Sequence, residues 1–267
     1  DVALPGIVWG WMITMNMWAK SLGTGVLFLG IYLMKKYPEE AGKLRFPIVF
    51  ISFVFIQIFL FFTVIDLHQM FRFWHIFFHP HWTSAITIGA WFVTALNGVL
   101  ALMAFMWWKK DDKNYEKLMW IAVVLSIPVT LYTAAIMAEA SARELWQGPT
   151  EMMQMVLAAT LAGSAALLLA VPNLSYEAKR DLGLVLAMSA LIAFFMYMGE
   201  LLFGPMKAEE VAATLMYIKG DGEYSTMFWV GQTFAFIIPM ILVLLSVTNR
   251  STSLLTLASV SALAGLW

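Results

Sequence analysis

Long apolar runs that carry almost no charge are the feature that most restricts the fold of this chain. A transmembrane helix needs about 20 such residues, and the 267-residue sequence contains seven runs of that length and a shorter eighth. Because the runs are continuous and do not alternate with polar residues, they exclude an outer-membrane β-barrel. The sequence therefore predicts an all-α integral membrane protein, one domain over 1–267 with about eight transmembrane helices. The predicted spans are 7–34, 46–65, 84–108, 117–138, 151–171, 182–203, 226–248 and 253–267.

Lysine and arginine are concentrated in alternate connections between these spans. Eleven of the 16 lie in the first, third, fifth and seventh connections, and only four lie in the second, fourth and sixth. Positive charge in short connections favours the cytoplasmic side of a membrane. We therefore expect the N-terminus and the even connections to face outward, which is the periplasm if the chain lies in a bacterial or archaeal cytoplasmic membrane.

The composition excludes several classes of function. Charged residues make up 12% of the chain and the net charge is −1, so no basic surface for nucleic acid can form. There is no cysteine to hold an iron–sulfur cluster. All four histidines lie between residues 68 and 81, so they do not provide a haem with ligands from two facing helices, and no metal site is expected. A quinone in an apolar pocket is the natural remaining redox partner.

Ionisable side chains gather where the spans meet the even connections. Asp66 closes the second span, Glu139 and Arg143 follow the fourth, and Glu200 lies near the end of the sixth. Ionisable groups at membrane depth are costly and are therefore candidates for function. The alternative interpretation is that they are ordinary interfacial residues in contact with water.

An amide and an amine side chain lie inside the first span. Asn16 and Lys20 are four residues apart, so they share one face of the predicted helix. With the N-terminus outside, Asn16 lies in the outer half of the membrane and Lys20 lies close to its midplane, where a charged group needs a partner. Asn16 can either serve a ligand or simply bond to a neighbouring helix.

Two sequence blocks resemble the polysulfide reductase membrane-subunit family (NrfD/PsrC-like). Residues 66–91, DLHQMFRFWHIFFHPHWTSAITIGAW, are similar to that family's Asp-Leu…Arg-Phe-Trp-His…Gly-Ala-Trp block. Residues 132–149, YTAAIMAEASARELWQGP, resemble its tyrosine-bearing helix end followed by Arg-x-Leu-Trp. The small-residue run at 21–25 and the Phe-Trp…Ile-Pro character of 228–244 fit less specifically, and the four segments occur in the family's order.

The resemblance implies an eight-helix subunit that binds neither haem nor an iron–sulfur cluster itself. Such subunits anchor a ferredoxin-like iron–sulfur protein, often with a molybdopterin catalytic subunit, and exchange electrons with menaquinone or ubiquinone. The family's quinone pocket lies near the membrane face that meets this partner. We therefore expect an oxidoreductase subunit without independent activity, with its partner docked over the even connections.

The resemblance also implies roles for individual residues. Tyr132 occupies the place of a quinone-contacting tyrosine, Asn16 that of a polar residue of the first helix, and Asp66 that of the aspartate ending the second helix. The sequence departs from the family at 68–70, where Gly-Arg-Pro is more usual than His-Gln-Met, and at Glu144, where proline is common.

Proton exchange and partner docking are assigned from the residue chemistry. Glu139, which lies four residues before Arg143 and can pair with it, and the imidazole of His75 are suited to carrying protons. The predicted relay is Glu139, Arg143, His75, Lys20 and Glu200, and the predicted quinone-binding residues are Asn16, Tyr132 and Asp66, of which Asp66 is also suited to passing protons. The predicted partner interface is Arg72, Trp74, His79 and His81.

Two other functions remain open at this point. A transporter would carry a substrate past Lys20, Asp66 and Glu200, and it would typically have inverted repeats and helices broken at the midplane. Pro128 and Pro239 lie within spans but at different heights and without an evident repeat. A purely structural anchor would bind a redox enzyme but no quinone.

Overall fold

The computed structural model describes residues 10–67, 70–140 and 145–267. Within those ranges the chain folds almost entirely into helices and contains no β-strand. A 3₁₀ turn at Pro38–Glu40 leads into the second helix, and a π-helical segment at Thr233–Ile237 joins the ninth to the tenth. The helices are α1 (Trp11–Lys36), α2 (Ala41–Asp66), α3 (His75–Phe78), α4 (Ala85–Trp108), α5 (Asp112–Glu139), α6 (Gly148–Ala170), α7 (Tyr176–Phe203), α8 (Glu209–Met216), α9 (Ser225–Gln232), α10 (Ile238–Asn249) and α11 (Thr252–Leu266).

The predicted all-α membrane architecture is confirmed. Seven helical segments of the described chain are long and apolar enough to cross a membrane, and α11 adds a shorter apolar helix of 15 residues. The seventh predicted span, 226–248, consists of α9, the π-helical segment and α10 in succession. The chain is therefore a multi-pass membrane protein.

Several helices begin earlier than the apolar runs predicted. The predicted spans start at 117 and 182, whereas α5 starts at Asp112 and α7 at Tyr176. Side-chain caps explain the difference: Asp111 accepts a hydrogen bond from the Asn114 N–H, and Ser175 accepts one from the Ala178 N–H. The Asn114 donors also hold the pKa of Asp111 below its usual range. These first turns are polar, so hydropathy alone does not detect them.

Helix α1 is the central helix of the bundle and packs against α2, α5 and α6. Its crossing with α6 is very close, because Gly25 faces the backbone of Ala159 and Gly163 faces the backbone of Gly25. Small residues at such crossings allow helix backbones to approach each other in a membrane, where dispersion forces replace the hydrophobic effect. Asn16 and Lys20 of the first span are both buried within these contacts of α1.

Charged pairs hold together the end of the bundle that carries the odd connections. Asp181 on α7 accepts hydrogen bonds from Lys36 Nζ at 2.5 Å and from the Tyr37 hydroxyl at 2.8 Å. Burial, together with this bond to Asp181, raises the pKa of Tyr37 to about 12. Arg45 on α2 forms ion pairs with Asp112 and Glu116 of α5. These contacts tie the end of α1 to α7 and the start of α2 to α5.

The opposite end of the bundle carries the even connections, and two short helices there were not predicted. Helix α3 has four residues and α8 has eight, so neither produces a run long enough to be recognised by hydropathy. Helix α8 nevertheless packs through Val211 and Leu215, which are both buried. We call this the even-connection end; both cavities described below lie towards it.

Candidate functional site

A cavity of about 340 Å³ lies between α2, α4, α5 and the segment that follows α2. We call it the first cavity. Its wall is overwhelmingly apolar, and the polar side chains on it are those of Thr63, Arg72, Thr94 and Tyr132. Pockets for small apolar ligands combine a hydrophobic wall with a few placed polar groups, and they start at about 300 Å³. The remaining lining residues are Phe59, Leu60, Val64, Leu67, Phe73, Ile76, Phe77, Ile86, Gly89, Ala90 and Val93.

Tyr132 is the phenol that α5 brings to the first cavity. Its ring packs edge-on against Phe59, with ring centroids 6.2 Å apart. The ring also lies against Gly89 on α4, where a Cβ atom would overlap it. The tyrosine therefore reaches the cavity wall because α4 has no side chain at that point.

Asn16 lies one layer behind the first cavity and not on its wall. Its Nδ2 donates hydrogen bonds to the Phe59 carbonyl oxygen at 3.1 Å and to Thr63 Oγ1 at 2.6 Å. Because Phe59 and Thr63 both line the cavity, Asn16 supports that wall from the α1 side. The geometry thus gives Asn16 the inter-helix bond that the sequence left open as an alternative, at the position next to the site.

Arg72 lies on the wall of the first cavity, although its sequence position suggested the partner interface. Its side chain is mostly exposed, so it stands at the rim. The apolar members of the same segment, Phe73, Ile76 and Phe77, also face the cavity. The segment 70–77 therefore forms one wall of the site.

The two carboxylates predicted nearest the site lie at its edge. Asp66 is the last residue of α2 and is partly exposed, and it is not among the residues that line the first cavity. Glu139 Oε1 accepts a hydrogen bond from the Ala85 N–H at 3.0 Å. This bond satisfies the first N–H of α4, so Glu139 holds the helix that carries Gly89.

The remaining residues predicted in the second connection are exposed. Trp74 stacks on His75 with ring centroids 3.9 Å apart, and His79 follows at 5.7 Å from His75. His81 shares a hydrogen bond with Thr83 at 2.8 Å. Arg143 and its predicted pairing with Glu139 lie outside the described residues.

Lys20 is fully buried and has no ion-pair partner among the residues that the structure describes. Its Nζ donates to Thr133 Oγ1 at 2.5 Å and lies 4.0 Å from Met155 Sδ. It also lies 5.1 Å from the centre of the Tyr132 ring. Among the described residues, a hydroxyl, a thioether and an aromatic face are thus the neighbours of this amine, in place of the charged partner that an ammonium at this depth needs.

A second cavity, of about 400 Å³, lies between α1, α5, α6, α7 and the end of α11. Glu200 lies on its wall, and its Oε2 accepts a hydrogen bond from Gln154 Nε2 at 3.4 Å. Two further residues of this wall, Glu151 and Tyr197, were not singled out from the sequence. Glu151 is the first residue of the predicted span 151–171. A carboxylate at the end of a span is usually interpreted as an interfacial residue in contact with water. The available signal was the spacing of Glu151, Gln154 and Ala158 along one face of the helix.

Histidine and carboxylate side chains are dispersed over the described part of the chain. Residues 10–67, 70–140 and 145–267 contain no group of three or more histidine, aspartate or glutamate side chains placed to hold an ion. The first cavity instead offers an apolar wall with one phenol, one guanidinium and two threonine side chains.

The sequence was compared with known proteins and families. No curated protein matches it. The model of the family described as polysulphide reductase, NrfD matches residues 3–267, which is nearly the whole chain. Members of that family are generally quinone-interacting membrane anchors of oxidoreductase complexes. The chain belongs to the NrfD family of polysulphide reductase membrane subunits.

Proposed function

We propose that this subunit exchanges electrons between a quinone pool and an iron–sulfur partner, and that the first cavity receives the quinone head group. The observation that carries the proposal is the position of Tyr132 on the wall of an apolar cavity towards the even-connection end. A quinone has an apolar ring with two carbonyl oxygens, so it needs a mostly hydrophobic wall and a small number of donors.

The residues of the first cavity fit that ligand. When bound, the quinone–quinol couple carries two electrons and two protons. The Tyr132 hydroxyl can donate to one oxygen of the ligand, and the Arg72 guanidinium at the rim can donate to the other. The apolar wall excludes water, which strengthens both hydrogen bonds. Asn16 takes part by holding Phe59 and Thr63 in place.

The segment 70–78 favours a partner docked on the even-connection end. Phe73, Ile76 and Phe77 line the first cavity, whereas Phe71 and Phe78 of the same segment are strongly exposed. One layer of chain therefore separates the cavity from the outer surface. We propose that a ferredoxin-like iron–sulfur subunit covers this surface, together with Trp74, His79 and His81, and that a molybdopterin or other catalytic subunit completes the complex.

The proposed setting is the cytoplasmic membrane of a bacterium or archaeon, with the even connections in the periplasm. The distribution of lysine and arginine supports this orientation. Asp66 and His75 are the proposed proton-exchanging groups at the edge of the first cavity, since both are exposed to some degree and near its rim. Glu139 is retained as a relay candidate that also caps α4.

Replacing Tyr132 with phenylalanine tests the quinone site. The substitution removes one hydrogen-bond donor and leaves the ring that packs against Phe59 and Gly89. We expect the affinity of the purified complex for decylubiquinone or menadione to fall about tenfold, which is the loss of one hydrogen bond worth about 1.4 kcal/mol. Titration of the complex with each quinone, followed by tryptophan fluorescence, measures the change.

The matched control is Tyr217→Phe, since Tyr217 is exposed and lies outside both cavities. Its quinone affinity should equal that of the unchanged complex. An intact complex in which Tyr132→Phe binds quinone and turns over quinol as before would contradict the proposal and favour a structural anchor. Uptake of a substrate by the isolated chain in liposomes would favour a transporter.

A further inference from the structure

One buried amine, that of Lys20, lies between residues of the two cavity walls. Lys20 Nζ hydrogen-bonds to Thr133 and lies 5.1 Å from the centre of the Tyr132 ring, which is on the wall of the first cavity. On its other side the same Nζ lies 4.0 Å from Met155 Sδ, which lines the second cavity. The lysine is thus in contact with one wall residue of each cavity.

Glu151 is the unusual side chain of the second cavity. It is only 7% exposed, and among the described residues its carboxylate accepts no hydrogen bond and forms no ion pair. A carboxylate without a donor is costly to bury. It lies four residues before Met155, so both project from one face of α6, one helical turn apart, or about 6 Å along the axis.

The second cavity is polar enough to conduct protons. Besides Glu151, its wall carries Gln154, Glu200 and Tyr197. Its volume of about 400 Å³ is many times the 30 Å³ or so that one water occupies in the liquid. Carboxylates, a phenol and an amide provide the two to four partners that each water in such a space needs.

We propose that the second cavity is the proton route of the quinone site, with Lys20 as the group that joins the two cavities and Glu151 as the carboxylate that exchanges protons with it. This inference rests on the proposed function, because it needs a ligand in the first cavity that gains or loses protons. The path runs from the first cavity beside Tyr132 to Lys20, past Met155 to Glu151, and then through water in the second cavity to the even-connection end.

The transfer is a simple proton exchange. In the direction of quinol oxidation, the neutral amine of Lys20 accepts a proton released in the first cavity, and the ammonium so formed passes that proton to the carboxylate of Glu151 and returns to the neutral amine. One N–H bond breaks, one O–H bond forms, and water in the second cavity then takes the proton from Glu151. No electron follows this route, since the electrons leave to the iron–sulfur partner. The flexible lysine stem and the unbranched Met155 side chain allow the amine to reach past the thioether.

The experiment uses the purified complex with Lys20→Gln and Glu151→Gln. Lys20→Gln keeps an N–H donor for Thr133 but has no amine that can gain or lose a proton, so it separates proton exchange from a structural hydrogen bond. We expect both variants to bind menadione within about twofold of the unchanged complex. Quinol turnover should fall about a hundredfold, which is the size of a general acid–base contribution.

An infrared readout follows Glu151 directly. Difference spectra between the complex with quinone and with quinol should contain a carboxyl band that Glu151→Gln removes. The matched controls are Glu177→Gln and Lys35→Met, which lie at the odd-connection end outside both cavities. Both controls should leave the band and the turnover unchanged.

The outcomes separate the two proposals. If the unchanged complex binds no quinone, the proposed function fails and this inference fails with it. If quinone binds but Lys20→Gln or Glu151→Gln keeps its turnover, or if the carboxyl band persists in Glu151→Gln, the proton route is wrong and the quinone site stands.

Discussion

Replacing Gly89 with leucine should abolish quinone binding while leaving the bundle assembled. A Cβ at this position would overlap the Tyr132 ring, and the rest of a leucine side chain would extend into the first cavity, whose wall includes Gly89. The substitution therefore displaces the phenol and fills the space at once. We expect the affinity for menadione to fall at least about a hundredfold, or about 2.8 kcal/mol.

The matched control is Gly98→Leu on the same helix. No atom lies within 4 Å of the position that a Cβ would take at Gly98, and this glycine is exposed, so a side chain there meets open space. Both substitutions change helix propensity in the same way, so the comparison isolates the contact with Tyr132. Fluorescence titration with menadione and size-exclusion chromatography of each complex measure binding and assembly. Gly89→Leu that binds quinone like Gly98→Leu would place the ligand elsewhere.

The membrane architecture could be predicted from the sequence because the hydrocarbon core of a bilayer imposes its own length on each helix. The predicted span 84–108 and helix α4 differ by one residue at one end. The differences lie at polar helix starts, as at Asp112 of α5, where a capping side chain decides the boundary. A hydropathy pattern contains no information on helix caps, so it does not predict these polar first turns.

The site could be predicted only in part. The resemblance led to Tyr132, and the structure places that residue on a cavity wall. The contact between Gly89 and Tyr132 was beyond the sequence, because it depends on how closely α4 and α5 pack. For Asn16 the helical face was predictable, but the shield that Phe59 and Thr63 form in front of it depends on how α2 packs on α1.

The second cavity was the least predictable feature. Its wall combines five helices, and no spacing along one of them indicates that Glu151, Glu200 and Tyr197 lie together. Lys20 illustrates the same point: its depth was predictable from the span, but its neighbours Thr133 and Met155 come from two other helices. The membrane depth of a residue follows from its position along its own helix, whereas the residues around it depend on how the helices pack together.

Replacing Gly25 with alanine should destabilise the whole bundle, since this glycine sits where α1 and α6 cross. A Cβ there would overlap the carbonyl group of Ala159, and Gly163 faces Gly25 from the opposite helix. Backbone atoms have no alternative rotamer, so relief requires α1 and α6 to move apart. Because α1 also packs on α2 and α5, that movement spreads through the core. We expect a loss of about 3 kcal/mol, the upper part of the range for overpacked cores.

The comparison is with Gly199→Ala on α7, where no atom lies within 4 Å of the Cβ position. That variant should be neutral or more stable by about 0.5–1 kcal/mol, because alanine is the better helix former. Unfolding of the full chain in mixed micelles with increasing sodium dodecyl sulfate, followed by circular dichroism, measures both. Equal midpoints for Gly25→Ala and Gly199→Ala would mean that α1 and α6 do not cross at these glycines.

The burial of Lys20 between the two cavities depends on the same crossing, since Lys20 and Gly25 lie on α1 and Met155 and Gly163 lie on α6. Gly25→Ala should therefore also lower quinol turnover in any complex that still assembles.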